Sequence, residues 1–150
     1  MFCFSCKPIV ELSFEAKSIS KKLEKLTYFY LITSVIKIIF GDFSSFINDI
    51  FIILLTLLTF SGANYFIAAI LIFTILYQNF FIMIGLALLY QNYYLGFLNM
   101  VSWILIFYLI IIVTSLILSF LILYYSFLAY KEYKALFIEQ HRFREYCINS

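Results

Sequence analysis

A chain of 150 residues that is 65% apolar, 22% aromatic and only 12% charged carries more apolar surface than a domain of its size can bury. Residues 50–130 contain no Asp, Glu, Lys, Arg or His, so lipid is the solvent that stretch is built for. A net charge of +2 supplies no basic groove, which excludes nucleic acid as a partner despite the aromatic content. The 19 Phe and 13 Tyr are what an AT-rich genome places at apolar positions, and they carry little functional weight.

The chain opens on Cys3-Phe4-Ser5-Cys6. A thioredoxin-type pair would sit at a helix start within a βαβ pattern, and nothing of that kind follows. Cys3 and Cys6 are unmodified thiols or acylation sites at a segment already close to the membrane. A sharper alternative joins them to His141 and Cys147 as a Cys₃His zinc site clasping the two ends, although the second pair lacks the usual tight spacing. No cofactor is expected. No cleavable signal is expected either, because the first apolar stretch follows a charged segment of more than twenty residues.

Residues 9–26 place Ile9, Leu12, Ala16, Ile19, Leu23 and Leu26 at alternating steps of three and four, with Glu and Lys between them. The spacing predicts an amphipathic helix started by Pro8 and lying on the headgroup layer, with pairing to a partner helix as the alternative. The apolar block that follows is divided at Gly41-Asp42-Phe43-Ser44-Ser45, at Ser61-Gly62-Ala63-Asn64 and at Gln91-Asn92-Tyr93-Tyr94-Leu95-Gly96. Four spans are predicted, at about 24–41, 45–61, 64–90 and 99–129, each near the ~20 residues a crossing requires. Gln78-Asn79 falls inside the third, which reads as one tilted helix rather than a re-entrant hairpin. Beyond Tyr130 the pattern stays helical to about Tyr146.

The fold class is therefore all-α, a polytopic bundle of four spans with an N-terminal interfacial helix and a C-terminal helical extension. It divides into a cytosolic segment 1–23, a membrane domain 24–130 and a cytosolic tail 131–150. Five lysines precede the first span and four basic residues follow the last, with Lys37 alone between them. Both termini are then cytosolic, or on the matrix side of an organelle, and an endomembrane is favoured over the mitochondrial inner membrane. Lys17, Lys21, Lys22, Lys131, Lys134 and Arg142 are placed to meet anionic headgroups.

Each span carries a polar stripe at helical spacing. Ser34, Lys37, Asp49, Thr56, Gln78, Ser115 and Ser119 are its principal members, and Thr27, Tyr30, Thr59, Thr74 and Ser126 extend it. Turned inward, such stripes let helices approach and hydrogen-bond, each contact contributing roughly 0.5–2 kcal/mol. A water-lined transport path built by oligomerisation is the functional alternative, though it usually shows more ionisable groups. Lys37 is expected to snorkel to the outer interface past Gly41, with pairing to Asp42 or Asp49 as the runner-up. No phosphate loop, His pair or acidic cluster stands at membrane depth, so no enzyme is expected.

With that layout, the chain resembles the small four-span proteins of Golgi and endosomal vesicles, and Tyr130-Lys131-Glu132-Tyr133-Lys134 leaving the last span is similar to their tails. The resemblance implies a trafficking or organising role without catalytic residues. An accessory subunit of a large membrane complex is the competing class. Its partners would be membrane lipids and other membrane-protein subunits or further copies of the chain.

Overall fold

A computed structural model of the chain describes residues 13–40, 42–94 and 103–149, with side chains as far as Asn92 and Arg142 in the last two segments. Four helices account for nearly all of them: α1 (Phe14–Ile39), α2 (Phe43–Gly62), α3 (Tyr65–Tyr94) and α4 (Trp103–Asn149). The Ser13 side chain caps α1 by accepting from the Ala16 N–H at 3.1 Å, one of the orphan donors of a helix start. Asp42 caps α2 in the same way, accepting from the Ser45 N–H at 3.1 Å. Ala63 turns the chain after α2 in the left-handed region, φ 45°, and the Asn64 side chain accepts from the Phe66 N–H at 2.9 Å to begin α3.

These tight connections make successive helices antiparallel neighbours. Each helix packs on the next in the chain, and α4 closes the ring on α1. The buried positions repeat in steps of three and four: Leu23, Thr27, Tyr30, Ser34 and Lys37 on α1; Asp49, Ile52, Thr56 and Thr59 on α2; Leu71, Ile75 and Gln78 on α3; Ser115, Ser119, Ile122, Ser126, Ala129 and Tyr133 on α4. That is the seam of a left-handed bundle.

Helices α2, α3 and α4 are long and apolar enough to cross a membrane, which makes this a helical membrane protein. α3 runs unbroken through Gln78-Asn79, so its polar pair interrupts nothing. α1 differs in kind. Its apolar run from Leu26 to Phe40 is short, Lys37 stands inside it, and charged residues crowd everything before.

α1 also revises the expected interfacial helix. From Phe14 onward the amphipathic segment is not a separate element: it continues without a break into the following stretch. Its stripe does not face headgroups. Ala16 and Leu23 are fully buried, and with the partly buried Ile19 and Leu26 they share one apolar cluster with Ala129, Tyr133 and Leu136 of α4. The Ser20 and Tyr133 hydroxyls are hydrogen-bonded across this contact at 2.7 Å. The physical reason is register: α4 continues past its charge-free stretch as helix with its own seam still running, and that seam lies against the stripe.

Along both helices the polarity of the two faces inverts. Before residue 26 of α1, the exposed residues include Glu15, Lys17, Lys21, Lys22, Glu24 and Lys25, and the buried ones are Ala16 and Leu23. After it, Tyr28, Phe29, Leu31, Ile32, Val35 and Ile39 are exposed, while Thr27, Tyr30, Ser34 and Lys37 are buried. α4 inverts near Ala129, where outward Phe120, Tyr124 and Phe127 give way to outward Lys131, Lys134 and Arg142.

Candidate functional site

The seam is polar where α1, α2, α3 and α4 meet beneath the α1–α2 turn. Asp49, fully buried, lies at its centre. The Lys37 ammonium, 2% exposed, donates to Asp49 Oδ2 at 2.7 Å and to Ser115 Oγ at 2.8 Å. The Tyr30 hydroxyl donates to Asp49 Oδ1 at 2.6 Å. Gln78 Nε2 donates to the same oxygen at 2.6 Å and to the Tyr30 hydroxyl at 3.1 Å. The Ser34 hydroxyl reaches both Asp49 Oδ2 and its own helix's Tyr30 carbonyl at 2.9 Å. A carboxylate offers about four lone-pair positions, and here every one faces a donor.

Lys37 therefore does not snorkel. Stripping two ions of water costs several kcal/mol each, but the short charge-assisted bonds and the neutral acceptor Ser115 supply what the outer interface would have offered. The geometry follows from spacing. Tyr30, Ser34 and Lys37 occupy successive turns of one face of α1, and the short turn at residues 40–42 brings Asp49 back opposite them.

One turn further from the α1–α2 connection, Ser119 donates to Asn79 Oδ1, joining α3 to α4. Thr27, Thr56 and Thr59 are buried too, but each hydroxyl donates to the carbonyl four residues earlier. Of the stripe residues expected to bridge helices, Ser34, Lys37, Asp49, Gln78, Ser115 and Ser119 do so, and Thr56 does not. Asn79 and Tyr30 are partners whose importance their residue types alone do not signal. A second bridge stands at the α1–α2 connection: the Tyr108 hydroxyl donates to Asp42 Oδ2 at 2.7 Å. Burial pushes the Asp42 carboxyl up, but bonds from Ser45 and Tyr108, with the Lys37 charge, hold it below the usual carboxylate range.

A cleft of about 590 Å³ runs along this cluster between α2 and α3, lined also by Lys37 of α1 and by Tyr108 and Ile112 of α4. Lys37, Asp42 and Gln78 line its polar side, and Phe81, Ile82 and Leu86 are among its apolar walls. Gln78, only 8% exposed, keeps a buried Oε1 without a hydrogen-bond partner among the described residues.

At the other end of the molecule Lys17, Lys21, Lys22, Lys131, Lys134 and Arg142 are all exposed. Lys22 lies over the Tyr125 ring at 5.4 Å and Lys134 over Tyr130 at 5.7 Å. His141 packs edge-on against Phe137, ring centroids 4.8 Å apart. Cys3, Cys6 and the Cys147 side chain lie outside the described residues, and so does the zinc clasp that would unite them. Comparison with protein-family models, with curated proteins and with solved structures finds no match. The class rests on the helices alone.

Proposed function

We propose that the chain is a non-enzymatic four-span membrane protein with both termini on the cytosolic side, acting as a structural or organising component that carries a rigid two-helix stalk. The single observation behind this reading is the length and pairing of α4. At 47 residues without a break it is about 70 Å long, more than twice a ~30 Å hydrocarbon core. Its excess is paired along the seam with the first turns of α1. The inversion of faces at residue 26 of α1 and near Ala129 of α4 supports a common membrane boundary, beyond which the pair stands in water. α1 is then a span whose polar side is hidden by three neighbours, which explains how a stretch with Lys37 in it can cross.

The ionisable groups at depth support a structural role, because Lys37 and Asp49 are engaged with each other rather than open to a substrate. A trafficking role of the kind found among small vesicle proteins fits the layout. An accessory subunit is the second reading, favoured by Phe137 and Ile138, which remain 43% and 46% exposed on the stalk where lipid does not cover them. Protease protection of tags at residues 1, 92 and 150 tests the topology: the first and last should be cut from the cytosolic side and the middle one protected. Extraction in mild detergent then separates the readings. A small homo-oligomer supports the organising component, and a particle of several hundred kilodaltons the accessory subunit. Opposite accessibility of residues 1 and 150 overturns both.

A further inference from the structure

The cleft between α2 and α3 has a charge that the rest of the bundle does not balance. From residue 26 to residue 130 the chain has two carboxylates, Asp42 and Asp49, and one cation, Lys37. Two negative charges and one positive leave the outer half at −1. Lys37 is committed to Asp49 at 2.7 Å, so the residual charge belongs to Asp42, at the mouth of the cleft. Below it the walls are apolar and aromatic. Gln78, more than nine-tenths buried, lines the same cleft with its carbonyl oxygen unpartnered among the described residues. A cleft with an anionic group at its mouth and a largely apolar, aromatic wall along α3 matches an amphiphile with a cationic head.

We propose that this cleft binds one phospholipid whose head carries an ammonium group, a choline or ethanolamine lipid of the outer leaflet. The ammonium pairs with the Asp42 carboxylate, and the exposed Ser44 and Asn48 side chains at the rim donate to the phosphate. One acyl chain lies along α3 against Phe81, Ile82 and Leu86. The wall from Leu89 down to Thr74 spans about 22 Å at ~1.5 Å per residue, enough for head and chain in one leaflet of a ~30 Å core. The volume is within the ~300–1,000 Å³ of small-ligand sites and takes one chain, leaving the second in the bilayer. An anionic head is disfavoured, because it meets Asp42 while the only ammonium nearby is already neutralised.

Two substitutions separate charge from space without removing the fold. Asp42→Asn keeps a side-chain acceptor for the α2 cap and removes the charge. At Gly85, which lines the cleft, an added Cβ meets no atom within 4 Å, so Gly85→Leu and Gly85→Phe grow into the open space. Full-length protein is delipidated in neutral detergent and offered phosphatidylcholine or phosphatidylglycerol of identical chains, with bound lipid counted by native mass spectrometry. The wild type should retain one phosphatidylcholine per chain, preferred over phosphatidylglycerol by about fivefold or more. Asp42→Asn should bring that preference close to one, and both Gly85 variants should lose retained lipid while keeping wild-type helicity and melting. Equal retention of the two lipids by the wild type overturns the proposal, as does undiminished retention by a folded Gly85 variant. The outcome is independent of how the stalk is used.

Discussion

Replacing Lys37 by Gln leaves the Asp49 carboxylate buried with Tyr30, Ser34 and Gln78 as its remaining donors. Three neutral hydrogen bonds do not replace an ammonium at 2.7 Å, and breaking one partner of a buried pair costs roughly 3–5 kcal/mol. Asp49→Asn strands the ammonium instead, with Ser115 as its one strong acceptor, and the cost should be of the same order. The double variant buries two neutral amides able to bond each other, so it should recover most of either loss and give a coupling energy at least as large as either single loss. Melting of the four proteins in one detergent, followed by circular dichroism, measures the cycle. Because both ions are fully enclosed, the coupling should scarcely change with added salt, unlike that of an exposed pair. Additive single effects, within about 0.5 kcal/mol, would refute the pair and return Lys37 to the interface.

Tyr133→Phe removes the bond to Ser20 on the stalk and should lower stability by about 1 kcal/mol, with Ser20→Ala adding nothing further if the two hydroxyls serve only each other. Leu23→Ala empties a fully buried position between α1 and α4 and should cost about 2–5 kcal/mol, while Ile32→Ala on the exposed side of α1 should cost far less; both can be read from the same melts. The depressed Asp42 carboxyl contributes stability that is complete above its unfolded value, near pH 4, and is lost as pH falls through its lower folded value. Asp42→Asn should therefore lose less melting temperature than wild type when the buffer is taken from pH 6 to pH 3.

Much of the architecture was legible as periodicity. The four helices, the polar turns at Asp42 and Asn64, and the stripe of Ser34, Gln78, Ser115 and Ser119 all follow from residues recurring every three or four positions. What spacing could not fix was the choice between environments of similar polarity. For Lys37, interface and carboxylate both satisfy an ammonium, and only the angle at which α2 returns decides between them. For the stripe of Ala16, Ile19 and Leu23, headgroup layer and partner helix are both apolar enough. The partner, α4, lies more than a hundred residues away in sequence, so no local pattern reveals it. The cleft was invisible for a related reason, since its lining is gathered from all four helices.

On the proposed topology a single seam crosses two solvents, and this accounts for where the polar residues are. In the stalk, water surrounds the helices and the hydrophobic effect drives Leu23 and Ala129 together. Within the bilayer that drive is absent, because lipid is as apolar as leucine, and packing must come from close approach and hydrogen bonds. The seam accordingly changes chemistry but keeps its period: Thr, Ser, Gln and an ion pair replace Leu and Ala at the same steps of three and four. Apolar side chains slide past one another with little penalty, so a membrane seam made of them would specify register poorly. An ammonium that must find one carboxylate, and a carboxylate that must find donors from α1 and α3, permit one axial alignment. Shifting α1 by a turn against α2 would bury both charges unpaired. The Lys37–Asp49 pair thus fixes the register of the bundle, and with it the alignment of Ser20 with Tyr133 on the stalk, where no ion pair is needed to hold it.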